Sequence, residues 1–257
     1  SEGGEYTPLK IPKKNKISAV RLDTDGKQRL YSYNISNGNS TELISDLVVA
    51  YYTWFDINTI VSAAIEGDNL NLFVTNLQDN TSIKYATNVG RSFHRIPNSN
   101  LISFIAKEDE NQWQIKSLNP KTGATTLIAN TMTAVEDMCW LNDNTMLCGK
   151  GNLLYKLRLN KDHDWKPITD LSSEGITKIT RLSINAESNK LLIAGDIAVQ
   201  STQTETQQNT TIETEEPTSD NTTETSQVEA IVQRNLKAYN ARNIDAFMAD
   251  YADDIKT

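Results

Sequence analysis

Short apolar runs alternate with polar turns along the first 196 residues. An Asn followed two residues later by Ile, Leu or Met recurs at Asn15, Asn58, Asn100, Asn144 and Asn189, at spacings of 43, 42, 44 and 45 residues. Each anchor opens an apolar run: 17–20, 60–65, 101–105, 146–148 and 191–193. These runs are short, bounded and partly β-branched, so they predict strands. After the first four, polar turns such as Asp25-Gly26 and Gly149–Asn152 lead into second alternating strands at 29–33, 70–74, 113–118 and 154–159. Further turns, such as Asn37-Gly38 and Pro120–Gly123, lead to closing strands at 41–44, 82–85, 125–128 and 166–169. A strand also precedes each anchor, at 6–11, 49–55, 92–96, 135–141 and 180–184, and no helix-period segment of ten or more residues occurs before residue 227.

Four short strands in a repeat of this length predict an all-β fold built of β-propeller blades. A β-sandwich is the alternative, but it has no need of so regular a period. Residues 5–171 hold four complete blades, and 176–196 supply the first two strands of a fifth. Propellers close by pairing strands from both termini, which removes sheet edges. The missing outer strands and one more blade are therefore expected upstream of Ser1, in a six-bladed parent. An incomplete arc of this kind would expose apolar blade faces.

The composition changes after residue 196. Residues 201–226 contain a single apolar residue, Ile212, and no Lys or Arg. Such a segment buries too little surface to offset its ordering entropy. It predicts a disordered Thr/Glu-rich linker over 197–226, with an acidic interaction tail as the alternative. From 227 the spacing turns helical through Val228, Ile231, Val232, Leu236 and Tyr239, with Ser226 as N-cap. Asn240–Asn243 breaks the pattern, and Ile244, Phe247, Met248 and Tyr251 begin a second helix. Residues 227–257 thus read as the two-helix start of an α+β domain.

Particular motifs carry two resemblances. Ile11-Pro-Lys-Lys-Asn-Lys16 and Ile96-Pro-Asn-Ser-Asn100 precede apolar strands, with eroded counterparts at Leu141-Asn-Asp-Asn144 and Asn185-Ala-Glu-Ser-Asn189. This repeat resembles the TolB-type (WD40-like) propeller repeat, with Asn standing where Gly supplies a positive φ. Glu5-Tyr-Thr-Pro8, Gln28-Arg-Leu-Tyr31, Gly90-Arg-Ser-Phe-His-Arg-Ile-Pro97 and Lys178-Ile-Thr-Arg-Leu182 resemble a bacterial subgroup of exported TolB-like proteins. The resemblance covers residues 5–196. It implies an extracytoplasmic, periplasmic or cell-envelope setting, a signal peptide in the parent and a binding role. Separately, Val232 to Asp254 resembles the opening of SnoaL-like domains, relatives of nuclear transport factor 2 and ketosteroid isomerase. The tyrosine that donates to the oxyanion in those isomerases is matched here by Asn235, and the base aspartate would fall just past Thr257. The resemblance therefore implies an accessory or binding domain rather than isomerase chemistry. Asp253 and Asp254 read as a solvated helix terminus.

Charge narrows the partners. Lys and Arg number 25 against 33 Asp and Glu, a net charge of −8. That excludes the basic footprint nucleic acid requires. No window approaches a membrane span. Two cysteines and two histidines, His94 and His163, offer no zinc pattern. No cofactor is indicated, since no regular carboxylate set suits a lactonase-type calcium centre and no Gly-x-Ser-x-Gly elbow marks a peptidase.

The candidate site lies on the innermost strands. Counting eight residues back from the anchors gives Thr7, Ala50, Ser92, Glu136 and Arg181, and six back gives Leu9, Tyr52, His94, Met138 and Ser183. Arg91, His94, Glu136, Asp137 and Arg181 are expected to converge at one channel mouth. A mixed-sign mouth of this kind would bind a small anion or a partner's terminus. In the alternative, Glu136 and Arg181 pair with each other and simply structure the channel. Trp54, Trp113, Trp140 and Trp165, with Phe104 and Tyr155, read as core between blades. A two-residue turn at Asp143-Asn144 would set Cys139 opposite Cys148, within disulfide reach; two buried thiols are the plainer reading. The sequence thus points to a non-catalytic propeller that binds a protein or small molecule. The alternative is a scaffold for an enzyme whose activity lies in the complete SnoaL-like domain.

Overall fold

The structure is a computed structural model that describes residues 4–185 and 187–197. Apart from Ile197, the expected linker and the helical segment 227–257 lie outside the described residues. Four sheets follow one another, each an antiparallel meander of four strands. The first is β1 (Gly4–Lys10), β2 (Lys16–Leu22), β3 (Gln28–Asn34) and β4 (Ser40–Ile44). The second is β5 (Val49–Trp54), β6 (Thr59–Glu66), β7 (Asn69–Asn76) and β8 (Thr81–Ala86). The third is β9 (Val89–Arg95), β10 (Ile102–Ala106), β11 (Gln114–Leu118) and β12 (Thr125–Asn130). The fourth is β13 (Met138–Asn142), β14 (Thr145–Lys150), β15 (Leu153–Arg158) and β16 (Lys166–Asp170). A short 3-10 turn, Ser172–Glu174, leads to β17 (Ile176–Ile184) and β18 (Leu191–Ile197), which pair as a two-stranded sheet.

This is an all-β propeller arc of four blades and the first two strands of a fifth. First strands of neighbouring blades approach one another, β5 with β9, β9 with β13 and β13 with β17, so they are innermost. The fourth strands are largely exposed, and every residue of β16 is open to solvent. Three inner strands start three or more residues from expectation, β9 among them, at Val89 rather than at 92. β13 starts at Met138 rather than at 135, and β17 starts at Ile176 rather than at 180. Glu136 and Asp137 therefore sit on the loop that enters the inner strand. The turns before β2 and β10 take the left-handed conformation at Lys13 (φ 59°) and Asn98 (φ 56°). Asn replaces Gly there in one blade, and Lys does so at greater strain in another.

Four apolar clusters lie between consecutive sheets, so each blade buries its face against the next. Ile11, Val20 and Leu30 meet Trp54 and Ile60 between the first and second blades. Ile105 and Ile115 meet Trp140 and Met146 between the third and fourth. Trp113 and Trp165 pack at the margin of that second cluster.

Polar atoms on these dry faces must find partners. Ser18 Oγ accepts hydrogen bonds from Trp54 Nε1 and the Tyr52 hydroxyl, both at 2.8 Å. Two blades on, Ser103 Oγ accepts the same indole bond from Trp140 Nε1 at 2.9 Å. At the matching place in the second blade stands Val61, which needs no partner, while Ser62, opposite Tyr52 on the face toward the first blade, has its Oγ buried without one.

The fourth blade corrects the expected register. Asn142 pairs with Thr145 as a two-residue turn requires, but Leu141 is extra, so Trp140 pairs with Met146 and Cys139 with Leu147. One extra residue moves everything beyond it to the opposite face. Cys139 packs toward the fifth sheet, while Cys148 packs toward the third blade with its Sγ 3.7 Å from Met132 Sδ. The two thiols are free and burial pushes both up to about 12. Gly149 lets the fifth sheet close in, because a Cβ there would lie 2.3 Å from Ile179 Cγ2.

Two outcomes follow. Ser18→Ala strips the buried Trp54 indole N–H of its acceptor, while the Tyr52 hydroxyl keeps the Thr7 carbonyl at 3.1 Å, and should cost about 1–3 kcal/mol in urea unfolding, whereas Ser62→Ala should be neutral or stabilising. Titration with an aromatic disulfide reagent at pH 8, without reductant, should find no reactive thiol in the folded protein and two in the unfolded one.

Candidate functional site

The mouth of the channel is built where the inner strands depart from regular pairing. The pairing of β9 shifts between Phe93 and Val89, and that of β17 shifts around Thr180. Such irregularities re-aim side chains. Arg91 and Arg181 emerge beside these shifts. Thr180, the extra residue, turns its carbonyl to accept Arg91 Nη2 at 3.1 Å and Arg181 Nη1 at 3.3 Å.

Both arginines share one carboxylate. Arg181 Nη1 donates to Asp137 Oδ2 at 2.6 Å, and Arg91 Nε lies 3.7 Å from the same oxygen. The longer separation is an ion pair without a hydrogen bond, so Arg91 Nε is buried and unpartnered. The Arg181 guanidinium carbon lies 5.8 Å from the centroid of the Tyr51 ring.

His94 and Ser92 project from β9. Ser92 Oγ donates to the Met138 carbonyl at 3.1 Å and lies 3.0 Å from His94 Nε2. With the hydroxyl proton spent on a carbonyl, Nε2 carries the hydrogen of the second contact. This pair fixes the imidazole and offers no activated hydroxyl. Burial lowers the His94 pKa, against the opposing pull of Asp137 and Met138. The ring is neutral at pH 7.

Arg91, His94, Asp137 and Arg181 therefore line one cavity of about 530 Å³, together with Tyr51 and Arg95. Its ionised wall groups are three arginines and one aspartate, a net +2 in a chain of net −8. Glu136 is turned away. It binds Lys107 at 2.5 Å and faces a second cavity of about 540 Å³, for which Arg91 and Asp137 also form wall. The expected Glu136–Arg181 pair is replaced by Asp137–Arg181, because the entry loop points the two adjacent carboxylates to different sides. Sequence reasoning missed Arg95, Tyr51 and Lys107. The first two sit on inner strands at 95 and 51, within reach of the counting that found His94. Lys107 follows β10, off the inner strands, and carried no such signal. No group of three or more His, Cys, Asp or Glu among the described residues is placed to hold a metal ion.

No protein-family model and no curated protein matches the sequence. Solved structures match the fold. Oligogalacturonate lyase in complex with manganese superposes with a TM-score of 0.56 at 12% identity, covering 75% of this chain and 62% of the lyase. A chain of a nidogen/laminin complex gives 0.55 at 8% identity, covering 74% and 72%. A putative gluconolactonase gives 0.52 at 9% identity, covering 74% and 71%. Enzymes and a binding protein share this architecture, so the likeness is one of fold. Fold and site together define a β-propeller with a cationic channel mouth.

The depressed His94 pKa makes stability depend on pH. The unfolded histidine takes its proton near pH 6.5 and the folded one only lower, so stability falls as pH drops below about 6.5. The slope approaches about 1.4 kcal/mol per pH unit between the two pKa values. His94→Gln should flatten urea-unfolding stability between pH 6.5 and 5, where carboxylates have yet to titrate.

Proposed function

We propose that this propeller is a non-catalytic binding module whose channel mouth takes an anionic ligand. The observation that carries the reading is the sharing of Asp137 by Arg91 and Arg181. One carboxylate neutralises one of two converging guanidinium groups, and Arg91 Nε remains buried with no acceptor. A ligand carboxylate or phosphate would supply that acceptor and the missing charge. The pocket is concave, with Leu9, Leu182 and Tyr51 beside the cations, as small-molecule sites are. The groups that could drive chemistry are otherwise engaged. The Ser92 hydroxyl is bonded to backbone, and both thiols are buried and protonated. The resemblance of residues 5–196 to exported TolB-like proteins supports a place in the bacterial cell envelope.

Succinate should raise the melting temperature with the logarithm of its concentration. Its neutral diamide should have no effect, and Arg181→Gln should weaken the response at least ten-fold. Equal shifts with succinate and diamide, or an unchanged response in Arg181→Gln, would overturn the reading.

A further inference from the structure

Thr7, Tyr51 and Arg181 line two cavities at once: the channel mouth and a neighbour of about 460 Å³. The neighbour is walled mainly by the first blade, through Glu5, Val20 and Gln28, with Ala50 of the second. Its charged residues are Glu5 and Arg181, so beyond the shared arginine it adds no cation to the mouth.

Among the described residues four buried side-chain polar atoms lack a partner, and three of them belong to the walls of these two cavities. Arg91 Nε is in the mouth, Thr7 Oγ1 in the shared wall and Gln28 Oε1 in the neighbour. The fourth, Ser62 Oγ, lines neither. Thr7 also holds a left-handed backbone, φ 50°, where the pairing of β1 with β2 shifts between Tyr6 and Leu9. A β-branched residue seldom takes that conformation, and strain of this kind collects at ligand sites.

The three atoms ask for different partners. A guanidinium N–H calls for an anion. A hydroxyl and a primary amide each donate and accept, and call for uncharged groups that do the same. A carboxylate preceded by peptide groups answers all three. Each peptide group presents one N–H and one C=O, which matches a glutamine side-chain amide in either orientation. A second acid group at the same place would meet Glu5. Val20, Ala50 and the Tyr51 ring offer apolar wall to the side chains of a peptide.

Resting on the anion-binding reading of the mouth, we infer that the ligand is the C-terminal segment of a peptide chain. Its terminal carboxylate sits between Arg91 and Arg181, and the peptide groups before it pass Thr7 to reach Gln28.

Calorimetric titration of the full chain with N-acetyl-trialanine, its C-terminal amide, gluconate and propionate tests this. The free-acid peptide should bind at least ten-fold tighter than propionate, than gluconate and than its own amide. Gln28→Met should weaken the peptide at least five-fold while leaving the melting-temperature response to succinate unchanged, which also reports that the variant is folded. Arg181→Gln should weaken peptide and propionate alike. If the peptide binds no tighter than propionate, or Gln28→Met changes nothing, the mouth stands as an anion site and the extended peptide falls. If gluconate matches the peptide, hydroxyls serve as well as amides and the peptide class falls. If the amide matches the acid, the terminal carboxylate does not seat in the mouth and the inference is overturned. If no peptide binds while succinate still does, the inference fails alone; if succinate fails too, it fails with the reading beneath it.

Discussion

Every element of this protein depends on the burial of one blade's face against the next. A four-stranded sheet with an apolar face is not stable by itself, and here each face finds its cover in the following repeat. That arrangement dries the interface and obliges each polar atom within it to find a partner. The Trp54–Ser18 and Trp140–Ser103 bonds meet this obligation with the same pair of side chains two blades apart. The Ser62 hydroxyl, on the face of the second blade toward the first, is left without such a partner.

The same stacking makes the channel. All five first hairpins carry a pairing irregularity, as do the four hairpins that pair third with fourth strands. Each irregularity exposes a side chain or carbonyl that a flat ladder would hide. Arg91 and Arg181 are aimed at Asp137 by this means, and Thr180 turns its carbonyl to meet them. The charge of the mouth comes from the residue types placed beside these irregularities. Its sign opposes that of the whole chain, which concentrates anions at the mouth.

His94 shows how local placement decides character. Its ring stands against Ser92 and the Met138 backbone in a setting that disfavours charge, although Asp137 lies nearby. The mouth's positive charge comes from guanidinium groups, which stay ionised at every physiological pH. Binding there is thereby insulated from the protonation of the histidine.

The repeat, the number of blades, the order of strands and the identity of the innermost strand were legible in the sequence. Each rests on a period of two within strands and about 42 between anchors, and both are local. The same counting named His94 and Arg181, with Arg91 and Asp137 added as neighbours of the counted positions Ser92 and Glu136. What only the tertiary structure decided is whatever one extra residue or one neighbouring blade can change. The extra Leu141 put Cys139 and Cys148 on opposite faces, since a slip of one residue reverses a strand's sides. The loop before β13 sent Glu136 to Lys107 and left Asp137 to the arginines. Arg95 lines two cavities, one of them walled by residues of three blades at once, a relation that no stretch of sequence contains.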